Sequence, residues 1–292
     1  MGLFSRREHP SSRDVTAETP SRYDPSLDRG AIDDLDNLPS RLVASWFRED
    51  PGGPRWLEAG WRHVRALFDA AGMEMPGVRY ARVGDDAIDL HVVADPRVVP
   101  LGPWHGYADE PGWWVLDRGE IVAEELSSVG AGSARVPLFV PVGLDDAGVA
   151  IWVNLEHTRG LALGMPYADQ VAFELVSSLT LCPFLSDTGV VLVGLGASGW
   201  PGDLAVSGPK ALERATRYGS VLGAHRRRCL VVTGSAIPAE VLGRLRAGGV
   251  EVLVVAIGAG DGGALPVLDD AGVLRGCGAN WSLGVVGAAR RR

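Results

Sequence analysis

The chain has 292 residues, of which 46% are hydrophobic, and carries a formal net charge of -8 at pH 7. A chain of this size and composition buries a sizeable core, as one large domain or two small ones. The negative charge argues against nucleic-acid binding, which requires a basic surface. Because no uninterrupted apolar run reaches the roughly 18 residues of a membrane helix, we expect a cytoplasmic protein without a membrane span. Peripheral membrane association stays open.

The cysteines and histidines give no sign of a metal site. Cys182, Cys229 and Cys277 are far apart and odd in number, which matches neither a Cys-x-x-Cys ligand pair nor a disulfide framework. None of the six histidines pairs with another at metal-ligand spacing. We therefore expect reduced thiols and no metal.

The chain divides into three regions by composition. Residues 1–37 are rich in Ser, Arg, Asp and Pro with few apolar residues, which predicts a disordered tail. Residues 38–130 predict a small α+β unit. It begins with an amphipathic helix around Trp56 to Phe68 that ends at Gly72. The strands of this unit are predicted at 77–84, 87–95 and 113–118.

Residues 131–292 predict an α/β domain. Its strands are runs of consecutive apolar residues, which is typical of a parallel sheet covered by helices on both faces. The strands are expected at 136–143, 149–156, 160–164, 189–196, 229–234 and 250–258. The helices are expected at 168–182, 210–226 and 238–247. The fold class is therefore a layered α/β protein with a mainly parallel sheet and flanking helices, preceded by the small α+β unit.

The stretch VVLVGLGASGWPG at 190–202 has the spacing of a dinucleotide-binding loop. Gly194, Gly196 and Gly199 follow an apolar strand, with Ser198 among them. A working loop of this type needs a helix to begin at the third glycine, because the helix N-terminus holds the pyrophosphate. Here the sequence continues as a loop, and the next helix is expected only near Pro209. The glycines are therefore ligand-loop candidates, and binding of an NAD(P)-like cofactor is the alternative interpretation.

Standard nucleotide hydrolysis and acyl transfer are not supported by the motifs. The single lysine, Lys210, follows Pro209 and precedes Ala211, so the phosphate-loop sequence Gly-Lys-Ser/Thr is absent. Ser198 lacks the glycine spacing of a nucleophile elbow. Glu156 and His157 are the best-placed polar pair, at a predicted strand end, and a structural hydrogen bond is the favoured interpretation.

Tryptophan is unusually frequent, with nine residues in the chain. Trp104, Trp113 and Trp114 cluster with His105 and Tyr107 in PWHGYADEPGWW. Packing in a core or interface is the default interpretation for such residues, and these tryptophans are candidates for contact with a partner.

The runs WLEAGWRHVRAL, PGVRYARVGDDAIDLHVVADP, WWVLDR and VGLDDAGVAIWVNLE resemble the intracellular region of large actinobacterial regulatory proteins. Those proteins carry a LysM domain and membrane helices before this region and a bacterial transcriptional activator domain after it. The resemblance covers residues 40–285 and implies a regulatory role. The 292 residues do not include the LysM, membrane and activator parts, so peptidoglycan binding and control of transcription are not carried over.

The α/β half also resembles, more distantly, a degenerate phosphate-loop domain of FtsK-like translocases and type VII secretion ATPases. GMPYADQ stands in place of the phosphate loop, with Gly164 retained, Tyr167 within it and Asp169 close to the expected helix N-terminus. CLVVTG, at 229–234, stands where the acidic Walker B strand would end, and it ends in Thr233 and Gly234 without the carboxylate that holds Mg²⁺. These departures predict a non-catalytic interaction or sensory module with a protein partner and no cofactor, or an assembly subunit of a membrane- or secretion-linked complex.

Overall fold

A computed structural model describes most of the chain after residue 51. The described residues are 52–93, 98–107, 110, 112–119, 135–145, 148–165, 168–179, 188–195, 204–217, 228–247, 249–258, 265–269, 273–276 and 279–282. The tail expected at 1–37 lies outside these residues.

The described residues form five helices and fourteen strands. The helices are α1 (Gly52–Ala70), α2 (Leu155–Thr158), α3 (Ala168–Leu179), α4 (Pro209–Arg217) and α5 (Ala239–Ala247). The first six strands are β1 (Gly77–Val83), β2 (Ala87–Val93), β3 (His105–Gly106), β4 (Trp113–Asp117), β5 (Phe139–Leu144) and β6 (Ala150–Asn154). The others are β7 (Gly160–Gly164), β8 (Thr188–Val193), β9 (Leu204–Val206), β10 (Arg228–Thr233), β11 (Glu251–Ile257), β12 (Val267–Asp269), β13 (Val273–Gly276) and β14 (Ala279–Ser282).

The first sheet is antiparallel, with the strand order β3-β4-β2-β1-β6-β5. One of its faces is covered by α1, which buries Leu57, Val64 and Phe68 completely at the spacing of a single helix face. The Phe68 ring stacks on Trp114 with centroids 5.5 Å apart. The helix ends as the sequence predicts, since Gly72 takes a positive φ of 65° and such a residue commonly terminates a helix.

The second sheet is mostly parallel, with the strand order β14-β13-β12-β7-β11-β10-β8-β9. Parallel pairing joins β12, β7, β11, β10, β8 and β9, while β13 and β14 add an antiparallel edge. Alternate residues of the parallel strands belong to different apolar clusters. One cluster contains Leu175 of α3, and the other contains Leu212 of α4 and Leu245 of α5. The helices therefore cover opposite faces of this sheet.

The two sheets share one apolar core and a short connection. The cluster that contains α3 also contains Phe139 and Trp152 of the first sheet. β6 leads directly into the single turn α2 and then into β7. The side chain of Asn154 starts this turn by accepting hydrogen bonds from the backbone N–H groups of Glu156 and His157, as a residue at a helix N-cap does.

The protein thus has an α/β architecture with one antiparallel and one mostly parallel sheet, which the sequence predicted only in part. β5 and β6, expected in the α/β domain, pair in the antiparallel sheet, because β6 aligns with β1 from Tyr80 to Val83. The short strands β3, β9, β12, β13 and β14 were not expected.

Candidate functional site

The carboxyl ends of parallel strands are the usual place for a ligand in an α/β sheet. In the second sheet β7 ends at Gly164, β8 at Val193, β10 at Thr233 and β11 at Ile257. The two loops that the sequence marks as ligand-binding candidates begin at this edge, after β7 and after β8. We call it the carboxyl edge.

The loop after β7 begins at Gly164, the glycine that the sequence aligns with a phosphate loop. A Cβ atom at this position would lie 3.3 Å from Cγ1 of Val267, so the backbone of β7 packs closely on β12. Tyr167 lies outside the described residues. Asp169 is exposed in the first turn of α3. A carboxylate there interacts favourably with the helix dipole and opposes the binding of a phosphate.

The loop after β8 begins at Gly194, which has a φ of 70°. Its N–H group donates a 2.9 Å hydrogen bond to the carbonyl oxygen of Val206 in β9. The next described elements are β9 and then α4, which begins at Pro209. Gly196, Ser198 and Gly199 lie outside the described residues.

β10, the strand after α4, ends in a turn that is closed by hydrogen bonds of the Thr233 hydroxyl. The Thr233 hydroxyl donates to the carbonyl oxygen of Ser235 at 2.6 Å and accepts from the Ser235 N–H group at 3.0 Å. Asp269, at the end of β12, is held by Nε of Arg275 at 2.7 Å and by the N–H group of Val273 at 2.9 Å. None of the four residues that end β7, β8, β10 and β11 carries an ionisable side chain. The ends of these four strands therefore offer hydroxyl and backbone groups, while the carboxylate of Asp269 at the end of β12 is occupied by Arg275.

The structure separates the three candidate tryptophans. Trp104 and Trp114 are buried on the side of α1, where Trp114 stacks on Phe68 and Nε1 of Trp104 donates to Nδ1 of His63 at 3.2 Å. Trp113 occupies the opposite face, because successive residues of a strand point to opposite sides of the sheet. Of the three, only Trp113 thus belongs to the face opposite α1, and it too is buried, with 7% of the residue exposed.

Around Trp113, the face opposite α1 carries a cluster of aromatic and charged side chains. The guanidinium of Arg82 lies 4.1 Å from the centroid of the Trp113 ring and 5.8 Å from that of Tyr107. Its Nε lies 2.8 Å from Oδ2 of Asp89, and its second terminal nitrogen lies 3.1 Å from Oε2 of Glu110. We call Arg82, Asp89, Tyr107, Glu110 and Trp113 the outer-face cluster.

Burial shifts the ionisation of two side chains in and beside this cluster. Desolvation raises the pKa of Asp89, although the Arg82 guanidinium acts in the opposite direction. Desolvation also lowers the pKa of His91, and Arg79 and Arg82 lower it further. His91 packs edge-on against Trp113 with centroids 5.0 Å apart. We therefore expect a neutral imidazole at neutral pH, packed as an aromatic ring.

The rim of the outer-face cluster is accessible and acidic. Tyr107 is 38% exposed. The side chains of Glu110 and Asp117 are each 49% exposed, and Asp117 lies 3.8 Å from Nε2 of His105. Desolvation raises the pKa of Tyr107, with Asp89 as the largest charged contributor. Two carboxyl groups, those of Asp89 and Glu110, thus pair with the guanidinium of Arg82, and a third, that of Asp117, lies beside His105.

Sequence reasoning identified Trp113 and Tyr107 but missed Arg82, Asp89 and Glu110. Arg82 and Asp89 are direct partners in the β1–β2 register. The alternation of polar and apolar residues in AIDLH, at 87–91, is the signal that marks a strand with one polar face. Glu110 reaches Arg82 from the loop between β3 and β4. The local sequence pattern does not predict the path of this loop.

The turn between the sheets places Glu156 and His157 in separate contacts. Oε1 of Glu156 accepts from the Leu138 N–H group at 3.0 Å and from Arg228 at 2.6 Å. His157 accepts from Nε of Arg79 at 3.4 Å. Glu156 thus makes structural hydrogen bonds, and the two side chains do not act on each other.

The described ranges contain neither a membrane-spanning helix nor a metal-binding group of side chains. No described helix is both long and apolar enough to cross a membrane. No group of three or more His, Cys, Asp or Glu residues in these ranges is arranged to hold a metal ion.

A known protein shares a partial similarity with the chain. No protein-family model matches it. The chain is 31% identical to a phosphoenolpyruvate transferase of Thermobifida fusca (strain YX), over a stretch that covers 39% of this chain and 39% of that protein. The match thus spans well under half of the length of this relative.

Proposed function

We propose that the protein is a non-catalytic cytoplasmic module for interaction or regulation, whose parallel sheet is a degenerate form of a phosphate-loop sheet. One observation carries the proposal. At the described carboxyl edge β7, β8, β10 and β11 end at Gly164, Val193, Thr233 and Ile257, and Asp269, the carboxylate that ends β12, is paired with Arg275, so the edge lacks the free charges needed for Mg²⁺-assisted phosphoryl transfer.

The path of the chain around Gly164 supports the degenerate phosphate-loop interpretation. β7 lies inside the parallel sheet, between β12 and β11, and is followed after a short loop by α3. This is the strand–loop–helix order that surrounds a phosphate loop. The sheet is retained while Asp169 stands at the start of the helix, where a phosphate-binding loop would need a positive environment. The resemblance to actinobacterial regulatory proteins supports a regulatory role for such a module.

The outer-face cluster is the surface that we assign to a partner protein. Trp, Tyr and Arg are the residue types that contribute most to binding energy in interfaces. The exposed carboxylates of Glu110 and Asp117 make the rim negative, in a chain whose net charge is -8. A basic peptide segment with arginine or lysine complements this charge, and its side chains can stack on the half-exposed Tyr107 ring.

Selection from a displayed peptide library tests this assignment. We expect the immobilised full chain to enrich arginine- and lysine-containing peptides, because these complement the acidic rim. Glu110→Gln and Tyr107→Ala should each weaken binding of a selected peptide by about tenfold, as loss of an important interface contact does. Glu240→Gln on α5 is the matched control, since this carboxylate is exposed and far along the chain from the cluster, and it should bind like wild type.

Two results would contradict the interaction surface. One is selection without any enrichment of basic sequences. The other is equal binding by wild type, Glu110→Gln and Tyr107→Ala, with circular dichroism showing that all three proteins fold.

A second candidate function follows from the partial similarity to a phosphoenolpyruvate transferase. A transferase would require saturable binding of phosphoenolpyruvate.

The NAD(P)-like alternative would require binding of that cofactor at the loop after Gly194. Cofactor should then raise the melting temperature of wild type, and Gly196→Ala should abolish the increase. The absence of a shift at millimolar concentrations of either compound would exclude both functions.

A further inference from the structure

The hairpin formed by β13 and β14 contacts the face of the first sheet that carries the outer-face cluster. The hydroxyl of Tyr80, on β1, donates to the carbonyl oxygen of Gly276 in β13 at 3.1 Å. The ring centroid of Tyr80 lies 5.7 Å from that of His91, and the centroid of His91 lies 5.0 Å from that of Trp113. The hairpin is therefore connected to the cluster through two successive ring contacts.

The chain leaves this hairpin at Ser282, close to the cluster. Ser282 pairs with Val273, three residues before Gly276 on β13. Because a strand rises about 3.4 Å per residue, Ser282 is about 10 Å from Gly276 along the hairpin. The next ten residues, LGVVGAARRR at 283–292, lie outside the described residues, and we call them the arginine segment. An extended chain of ten residues spans about 33 Å, which exceeds the offset along the hairpin and the two ring contacts taken together.

The rim of the outer-face cluster keeps negative charge after its internal pairs are counted. Arg82 pairs with Asp89 and with Oε2 of Glu110. Asp117 lies 3.8 Å from Nε2 of His105. With the three carboxyl groups ionised and His105 neutral, the guanidinium of Arg82 balances only one of the three negative charges that the described part of this surface carries.

The arginine segment matches this rim in charge and in side-chain type. Its charged side chains are the three arginines at 290–292. Glu110 and Asp117 each expose 49% of their side chain, and Tyr107 is 38% exposed. A guanidinium both pairs with carboxylates and stacks on aromatic rings, so the rim presents the two kinds of group that an arginine binds.

We propose that the arginines at 290–292 bind the rim of the outer-face cluster of their own chain, as an autoinhibitory segment that a basic partner must displace. This inference rests on the proposed function, because it names what occupies the same surface when the partner is absent. A short connection gives a tethered segment a millimolar effective concentration at its site. Contacts too weak to hold a free peptide are therefore sufficient within one chain.

Carbodiimide crosslinking of the full chain tests the contact. The reagent joins a carboxylate to an adjacent amine, and the chain has a single lysine, Lys210. Arg291→Lys therefore adds one side-chain amine to the arginine segment. We expect mass spectrometry to find this amine joined to Glu110 or Asp117 of the same chain. The yield should fall in about 1 M salt, because screening weakens the pairing.

A synthetic peptide of sequence LGVVGAARRR, added to the full chain, measures the competition. Replacing all three arginines at 290–292 by glutamine should make the chain bind this peptide about tenfold more tightly than wild type, because the tethered segment no longer competes. The matched control loses the same charge from exposed positions on α4 and α5 and should bind the peptide like wild type. Its substitutions are Lys210→Gln, Arg214→Gln and Arg246→Gln.

Three results would overturn the inference. The first is an introduced amine that joins only carboxylates outside the rim. The second is crosslinked dimers in place of crosslinked single chains, which would make a second copy the occupant. The third is equal peptide binding by wild type and the triple-glutamine chain, with binding still weakened by Glu110→Gln, which would leave the interaction surface itself intact. Failure of both chains to bind any basic peptide would contradict the interaction surface as well.

Discussion

At the scale of single residues, the ion pair between Arg228 and Glu156 links the start of the parallel sheet to the turn after β6. Arg228 is almost fully buried, and Glu156 also contacts Arg135 and the Leu138 backbone. Removing one partner of a buried pair leaves a charge without compensation, which costs more than the pair contributes in net stability. Substituting one member of the pair therefore measures how much this turn contributes to the stability of the folded protein.

Glu156→Gln should destabilise the protein by roughly 3 kcal/mol, because the almost fully buried Arg228 loses the carboxylate that lies 2.6 Å away. Urea denaturation measures this loss. The double variant Glu156→Gln with Arg228→Met should recover a substantial part of it, since neither member then leaves a buried charge. A loss below about 0.5 kcal/mol in the single variant, the range of an ordinary surface substitution, would show that the pair does not link the sheets.

His91 predicts a pH dependence of stability. Its pKa in the folded protein lies below the ordinary value of 6.5 because of burial and two nearby arginines. As pH falls below that value, the unfolded chain takes up a proton before the folded chain does, so stability decreases toward acid. His91→Gln should lose less stability than wild type between neutral pH and about pH 5. Denaturation series with the same slope against pH in both proteins would contradict this assignment.

The tryptophans show what residue patterns predict and what they omit. Strand alternation within WWVLDR already implies that Trp113 and Trp114 face opposite sides. Which face is covered depends on where α1 packs, and that contact joins residues such as Phe68 and Trp114 that are distant in sequence. Trp104 lies outside any regular alternation, so its burial beside His63 follows from tertiary packing alone.

At the scale of elements, Gly160 shows why β7 begins where it does. It has a φ of 150°, and a Cβ atom there would overlap the carbonyl oxygen of Val254 in the neighbouring strand β11. The strand pair can form in its observed register only because residue 160 has no side chain.

Gly160→Ala should therefore destabilise the protein by about 1–3 kcal/mol or more, the usual cost of forcing an atom into a packed region. The matched control is Gly243→Ala within α5, where a Cβ atom meets nothing within 4 Å. The control should stabilise by about 0.5–1 kcal/mol, because alanine is the better helix former. Thermal melts compare the three proteins, and equal midpoints for Gly160→Ala and wild type would contradict the close packing.

Elements with long apolar runs or a clear helical period were predictable from the sequence. α1, α5 and the central strands β8, β10 and β11 fall within a few residues of their expected positions. The short strands β9 and β12 were not predictable, because three residues carry too little periodicity and are held by pairing with β8 and β7. The α3 and α4 helices end at Leu179 and Arg217, and the residues that follow each of them are not described.

At the scale of the whole molecule, the order of strands in space differs from their order in the chain. β5 and β6 precede β7 directly, yet they pair beside β1 to complete the antiparallel sheet. An apolar run such as AIWVN is compatible with either sheet, so local sequence could not choose between them. The pairing partners Ala81 and Trp152 are about seventy positions apart in sequence. A local pattern of apolar residues does not show which distant strand will pair with it.

We propose that the carboxyl edge of the parallel sheet neither binds nor hydrolyses a nucleotide. Isothermal titration calorimetry of the full chain with Mg²⁺ and ATP, then GTP, tests this most directly. We expect only heats of dilution for both nucleotides at millimolar concentration, because the described edge presents Gly164 and Thr233 at the strand ends, and its carboxylate Asp269 is paired with Arg275. Saturable binding of either nucleotide with a dissociation constant near micromolar would contradict the proposal.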